Sequence, residues 1–406
     1  MIDELPRLAY IVDVSVSATA HGSSLLYRLF EKYPPNKLII LEPELRSFES
    51  HSSLSRLRGF RYSFIPFPFA RLFKSQFARI ARSAYFLLSW IFLRRISSIL
   101  DSLPIDGIVS VSNGILWYPA FLYARSRNIS FFLIIHDDGL LASRSLINKS
   151  IYYRRFRDAY LYATQVFCIC DTMNKFYSKT FKKKSLTLWP SRSASAFDAP
   201  QRMECILNSE RELNIAYAGS INSEQYAKMI GILAGLKCDY NIKVLIYGSH
   251  SVHSLSFVGL DCANIYCMGN FSSDDLVLSL RDNADILYLP IPFDRSSRHI
   301  ARYSFPSKLV DYTRVGIPIL AQAPYYSSLT SWLYSAPHAA YLVDTLSPFD
   351  LKRAINCIIN NDYAMYSKGG LEAGRQSFDY YSIASTFFQA LAHDSDFNCH
   401  SAIISQ

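Results

Sequence analysis

The chain has 406 residues, half of them hydrophobic and 15% aromatic, with a formal net charge of +9. That length exceeds one ordinary core and suits two domains of about 200 residues each. The longest uncharged apolar run, AYFLLSWIFL at 84–93, is too short to cross a bilayer, and acids ahead of the first apolar run argue against a signal peptide.

The positive charge sits in the first half. Residues 1–200 carry 27 Lys and Arg against 14 Asp and Glu, whereas 201–406 carry 15 against 19, so the two halves face different partners. The first half reads as strands LAYIVDVSV, KLIILEP, GIVSVS, SFFLIIH and QVFCIC, separated by helical patterns such as SSLLYRLFEKY and YPAFLYARSR. Alternation of this kind specifies a parallel sheet flanked by helices. Between the first two strands and the third lies a stretch free of carboxylates from Glu49 to Asp101, with nine basic residues from Arg56 to Arg95 interleaved with aromatic ones. Such a composition suits a surface against anionic lipid; a helix with a solvated basic face is the alternative, and no nucleic-acid recognition motif accompanies it.

Residues 191–212, rich in Ser, Ala and charge, read as a linker between a first domain at 1–195 and a second at 210–377. The second domain repeats the scheme with LNIAYAG, IKVLIYG, NIYCMG, DILYLPIP, IPILAQ and AAYLVD. Two doubly wound domains enclose a ligand outside the carboxyl ends of their strands. The eight cysteines are scattered, with Cys168 and Cys170 the only close pair, and read as reduced thiols of a cytoplasmic protein.

Neither a Walker A sequence nor G-x-G-x-x-G occurs, so phosphate chemistry must lie elsewhere. In FPSKLVDYTRVGIPILA, 305–321, Pro306 suits a first helical turn, whose amides and dipole would favour an anion. Lys308 adds a full charge, and Asp311 can accept two hydrogen bonds from a vicinal diol such as ribose. A surface Lys/Asp pair is the plain alternative.

This segment resembles the nucleotide-binding element of GT-B glycosyltransferases of the GT4-like group, which reads roughly P-S-K-x-x-E-Y-x-x-x-G-x-P. Pro306, Ser307, Lys308, Tyr312, Gly316 and Pro318 match; Asp311 stands for the glutamate and Tyr303 for the acid eight residues earlier. The resemblance implies an α/β chain of GT-B type, two Rossmann-like domains facing across a cleft, with a closing helix at 378–395 returning to the first domain. It implies donor contacts from Gly219, Ser220 and Lys228 after the first strand of the second domain, where the group often has an arginine that is absent here. Gly269 and Asn270 would lie near the base, and Arg295, Arg298 and Arg302 could supply the missing charge. In the first domain it implies that Gly22 permits approach to the donor and that His136 lies next to the transferred sugar. Asp137 and Asp138 read as caps of the following segment, not as metal ligands.

What the resemblance implies in function is a metal-independent transfer from a nucleotide sugar, with no further cofactor, to a saccharide or lipid-linked acceptor at the inner face of a membrane. A nucleotide-sugar epimerase or a catalytically inactive binding subunit on the same fold remains open.

Overall fold

The computed structural model describes residues 5–14, 16, 24–44, 56–67, 78–137, 149–221, 223–260 and 262–392. Gly22, Asp138 and 68–77 of the basic, aromatic stretch lie outside them. The chain divides into two compact units, one of residues 1–191 with 380–406 and the other of residues 192–379.

The first unit is built on seven strands: β1 (Leu8–Ile11), β2 (Leu38–Glu44), β3 (Arg61–Pro66), β4 (Gly107–Val111), β5 (Ser130–Ile135), β6 (Gln165–Cys168) and β7 (Leu186–Thr187). All pairings are parallel, in the order β3-β2-β1-β4-β5-β6-β7. β4 is buried at every position, as expected for parallel strands covered on both faces, which read as unbroken apolar runs. The Tyr380–Ala392 helix belongs to this unit: Phe387 packs at 6.0 Å from Phe30 and 5.1 Å from Phe167.

Two strands here, β3 and the two-residue β7, were not expected. β3 falls inside the stretch read as a lipid-facing segment, and its pattern, with Ile65 buried between exposed Phe64 and Pro66, is that of a sheet edge. The aromatic residues of that stretch divide accordingly. Phe67 and Phe92 are buried and stack at 4.6 Å, and Phe86 packs against Trp117, so these serve the core. Ile80 and Leu87 are exposed on the helix Ala78–Leu87, Leu88 between the two helices, and Trp90 on the helix Ser89–Leu100 that also carries exposed Arg94 and Arg95. Among the described residues no helix is long and apolar enough to cross a membrane.

The second unit holds six strands: β8 (Glu212–Ala218), β9 (Asn241–Tyr247), β10 (Ile265–Gly269), β11 (Ile286–Pro290), β12 (Ile319–Gln322) and β13 (Tyr341–Val343). They too are all parallel, in the order β10-β9-β8-β11-β12-β13. Each sheet therefore reverses its strand order once, at β1/β4 and at β8/β11, and such a reversal opens a crevice at the carboxyl ends of the two strands. One face of the second sheet buries Ile215, Val244, Ile286 and Leu320 against Ile230, Leu233 and Ile355 from the helices Glu224–Ala234 and Pro348–Cys357.

Residues 192–211 are not a free linker. The Ala199 amide donates to the Arg314 carbonyl (2.8 Å) and the Arg202 amide to the Gly316 carbonyl (2.8 Å), while the Arg202 guanidinium reaches the carbonyls of Ala284 and Arg281. Backbone passes close to backbone here: a Cβ on Gly316 would lie 2.7 Å from the Pro200 carbonyl oxygen.

Candidate functional site

The residues of the 305–321 segment meet the strand ends at the β8/β11 reversal. The helix Lys308–Tyr312 follows β11 and is tied to the sheet by Tyr312, whose hydroxyl accepts the Ala218 amide (2.7 Å) and donates to the Tyr288 carbonyl (3.3 Å). That anchor at the carboxyl end of β8 sets where the preceding turn of the helix points.

Lys308 consequently lies over the end of β8. Its Nζ donates to Tyr217 Oη (2.9 Å) and sits 4.2 Å from the centre of the Tyr217 ring and 5.8 Å from that of Tyr226. Tyr217 in turn donates to the Ser220 carbonyl (2.7 Å). Gly219 makes room for this: it has φ +136, and a Cβ there would lie 2.5 Å from Lys308 Nζ. The ammonium is held in a half-buried aromatic corner, and desolvation pushes its pKa down to about 7.

Around this corner the strand ends are joined by their backbones. The Gly219 amide donates to the Tyr247 carbonyl and the Gly248 amide to the Gly269 carbonyl, both at 2.8 Å. His250 Nε2 donates to the Gly219 carbonyl (3.0 Å). Tyr217, Tyr226 and His250 were not anticipated; a tyrosine within an apolar strand carries no mark in sequence that a lysine 91 residues later will lie on it.

Asp311 faces the other way, toward the first turn of the helix Ser273–Asn283. Its Oδ1 accepts from Ser273 Oγ (2.6 Å) and lies 3.5 Å from Arg314 Nη1. The short helix thus presents Lys308 to the end of β8 and Asp311 to the loop after β10.

The anion-binding helix end expected at Pro306 is not what this turn provides. The helix has five residues, too few for an appreciable dipole, and the amides of Leu309 and Val310 donate to the carbonyls of Pro306 and Ser307 at 3.0 and 3.1 Å. Ser307 makes no side-chain cap. The positive charge of the site therefore rests on Lys308 itself.

The remaining expected positions are distributed as follows. Gly269 closes β10, and Asn270 after it is exposed. Lys228 is exposed on the Glu224–Ala234 helix, whose inward residues are Ala227, Met229 and Ile230. Arg298 lies 4.8 Å over the Tyr326 ring and Arg302 5.4 Å over that of Tyr303, both on the exposed side of the helix Arg298–Tyr303. Tyr303, where the resembling group has its first acid, is buried. In the first unit His136 is the first residue after β5, half-buried, followed by exposed Asp137. No group of three or more His, Cys, Asp or Glu among the described residues is placed to hold a metal ion.

At the β1/β4 reversal of the first unit, Asp13 Oδ2 accepts the Leu116 amide (2.8 Å), ahead of the helix Trp117–Arg127, and desolvation raises its carboxyl to about 6. None of the seven described cysteines forms a disulfide, and burial pushes the thiols of Cys168 and Cys170 up to about 12.

Two parallel sheets that share one strand order over six strands, the first with a seventh added at its edge, and the lysine-bearing turn at the reversal of the second define the architecture. The chain has the GT-B fold. Anabaena HepE (Alr3699), solved in complex with UDP and glucose, superposes with a TM-score of 0.67 at 11% identity, covering 95% of this chain and 100% of that one. Trehalose-6-phosphate synthase from Burkholderia multivorans gives 0.66 at 9%, covering 99% of each chain. The lipopolysaccharide outer core galactosyltransferase WaaB in its apo form gives 0.60 at 13%, covering 95% and 99%. No family model and no curated protein matches the sequence.

Proposed function

We propose that this GT-B protein is a glycosyltransferase, moving a sugar from a nucleoside diphosphate sugar to a saccharide or polyprenyl-linked acceptor in cell-surface polysaccharide assembly, with retention of anomeric configuration. One observation carries the reading: Lys308 Nζ is packed against Gly219 at the β8/β11 reversal, where a doubly wound sheet receives its ligand. Solved proteins of the same fold support it, one holding UDP and glucose and another described as a galactosyltransferase.

On this reading the diphosphate lies against the Lys308 ammonium, which a half-buried corner leaves with few waters to displace. Charge that develops on the departing diphosphate is met by an already oriented cation. Asp311 takes the ribose, Gly269 and Asn270 lie toward the base, and Arg298 and Arg302 add charge. His136 serves the transferred sugar. The exposed Ile80, Leu87, Leu88 and Trp90 with Arg94 and Arg95 form the face that meets an anionic membrane carrying the acceptor.

The decisive experiment incubates the protein with a panel of radiolabelled nucleotide sugars and acceptor-bearing membrane extract, and counts transfer, hydrolysis and epimerisation products. Transfer is expected. Epimerised nucleotide sugar alone would assign an epimerase, and donor binding without any product would assign a binding subunit.

A further inference from the structure

One heavily bonded charged side chain in the second unit is not specified by the motif. Arg314 follows Asp311 by three residues and is 1% exposed. Its Nε donates to the Phe197 carbonyl (2.9 Å), its Nη1 to Ser273 Oγ (3.1 Å), and its Nη2 pairs with Asp274 Oδ1 (2.5 Å). The guanidinium plane lies 5.3 Å over the Phe197 ring. An arginine held on every edge is a rigid fork, not a mobile counter-ion.

This fork and the Ser273 hydroxyl converge on one atom, Asp311 Oδ1. Three chain segments are thereby fixed together: the strap at Phe197, the first turn of Ser273–Asn283 and the short helix that carries Lys308 and Asp311. A carboxylate on a five-residue helix would otherwise rotate freely about its side-chain bonds. With Oδ1 held by a hydroxyl and a guanidinium, the plane of the carboxylate is set before any ligand arrives. A carboxylate offers only acceptors, which is what the two hydroxyls of a vicinal diol need.

We propose that Arg314, acting with Ser273, is the positioning residue that turns Asp311 into a selector of the ribose diol, so that the site discriminates nucleotides by their sugar hydroxyls. The inference rests on the nucleotide-sugar reading above and adds to it the origin of sugar selectivity within the nucleoside. Arg314 does not touch the ligand. Its effect passes wholly through the orientation of Asp311, whereas the diphosphate is held by Lys308, at the other end of the helix.

The test measures calorimetric affinities of wild type, Arg314→Met and Ser273→Ala for UDP, GDP, ADP and CDP, then for the 3′-deoxy form of whichever binds best, and for inorganic pyrophosphate. Ser273→Ala leaves the buried arginine in place, and the neighbouring Ser272 still caps the helix, so folding is kept even where Arg314→Met is destabilised. Wild type should prefer the ribonucleotide by about tenfold or more, the loss expected for one hydrogen bond to a charged acceptor. Both variants should narrow that ratio toward unity with pyrophosphate affinity unchanged. A preserved ratio, or an equal loss for both nucleotides and pyrophosphate, overturns the positioning role alone. Absence of binding of all four diphosphates by wild type overturns the nucleotide reading and this inference with it.

Discussion

Donor binding should take up a proton, and Lys308 is the group that takes it. Desolvation holds its pKa at about 7, so at pH 8 about one lysine in ten is charged, and at pH 6 about nine in ten. A bound diphosphate favours the ammonium and returns the pKa to the ordinary lysine range of about 10.4. Uptake is then about 0.9 proton per ligand at pH 8 and about 0.1 at pH 6. Affinity should fall about 100-fold between pH 6 and pH 9, or about 2.7 kcal/mol. The sign for the empty protein is opposite: between about pH 7 and pH 10.4 the unfolded chain binds the extra proton, so its stability gains from rising pH. The assay is calorimetry with a nucleotide sugar, whose diphosphate keeps its charge throughout this range, in two buffers of different ionisation enthalpy. Lys308→Met should abolish the buffer dependence and flatten the pH profile. Identical heats in both buffers at pH 8 would refute the reasoning.

Gly219→Ala should weaken pyrophosphate binding about tenfold while costing about 1 kcal/mol of stability, since the new methyl both displaces the ammonium and strains a positive φ; an unchanged affinity would detach Gly219 from the site. His136→Ala should lower turnover far more than donor affinity, because a group beside the transferred sugar acts on the reacting centre, and normal turnover would leave His136 a strand-end residue only. Transfer should persist in EDTA; loss reversed by Mg²⁺ or Mn²⁺ would bring Asp137 and Asp138 forward as ligands. Sedimentation with anionic vesicles should exceed that with neutral ones and fall with salt, by about 1 kcal/mol for each engaged arginine, and Trp90→Ala with Arg94→Ala should reduce it; equal binding to both vesicle types would remove the electrostatic part.

A central strand of the second unit is legible because parallel strands covered on both faces are apolar throughout, as in ILYLP of β11. β3 escaped for the converse reason: RYSFIP at a sheet edge shows one buried position in six and reads as part of a basic, aromatic surface. The segment at 305–321 is visible as a pattern, yet the causes of its residues are spatial. Gly316 is there to let Pro200 pass, Tyr312 to hold the end of β8, and Arg314 to join three segments. The length of a helix, which decides whether its end attracts an anion, depends on where the chain must turn back into β12. Composition alone did not reveal that limit.

The second unit is an insertion within the first. Its two ends meet where the Arg192 amide donates to the Phe378 carbonyl (3.0 Å), and the Tyr380–Ala392 helix then completes the first unit by packing Phe387 on Phe30. On the ribosome this imposes an order. Residues 192–379 can close their core as a contiguous piece, while the earlier-made portion waits for its last helix through roughly 10–40 s of synthesis at about 5–20 residues per second. Through that interval Phe30 and Phe167 lack the aromatic cover that Phe387 brings, so the nascent first unit keeps apolar surface exposed until its last helix is made.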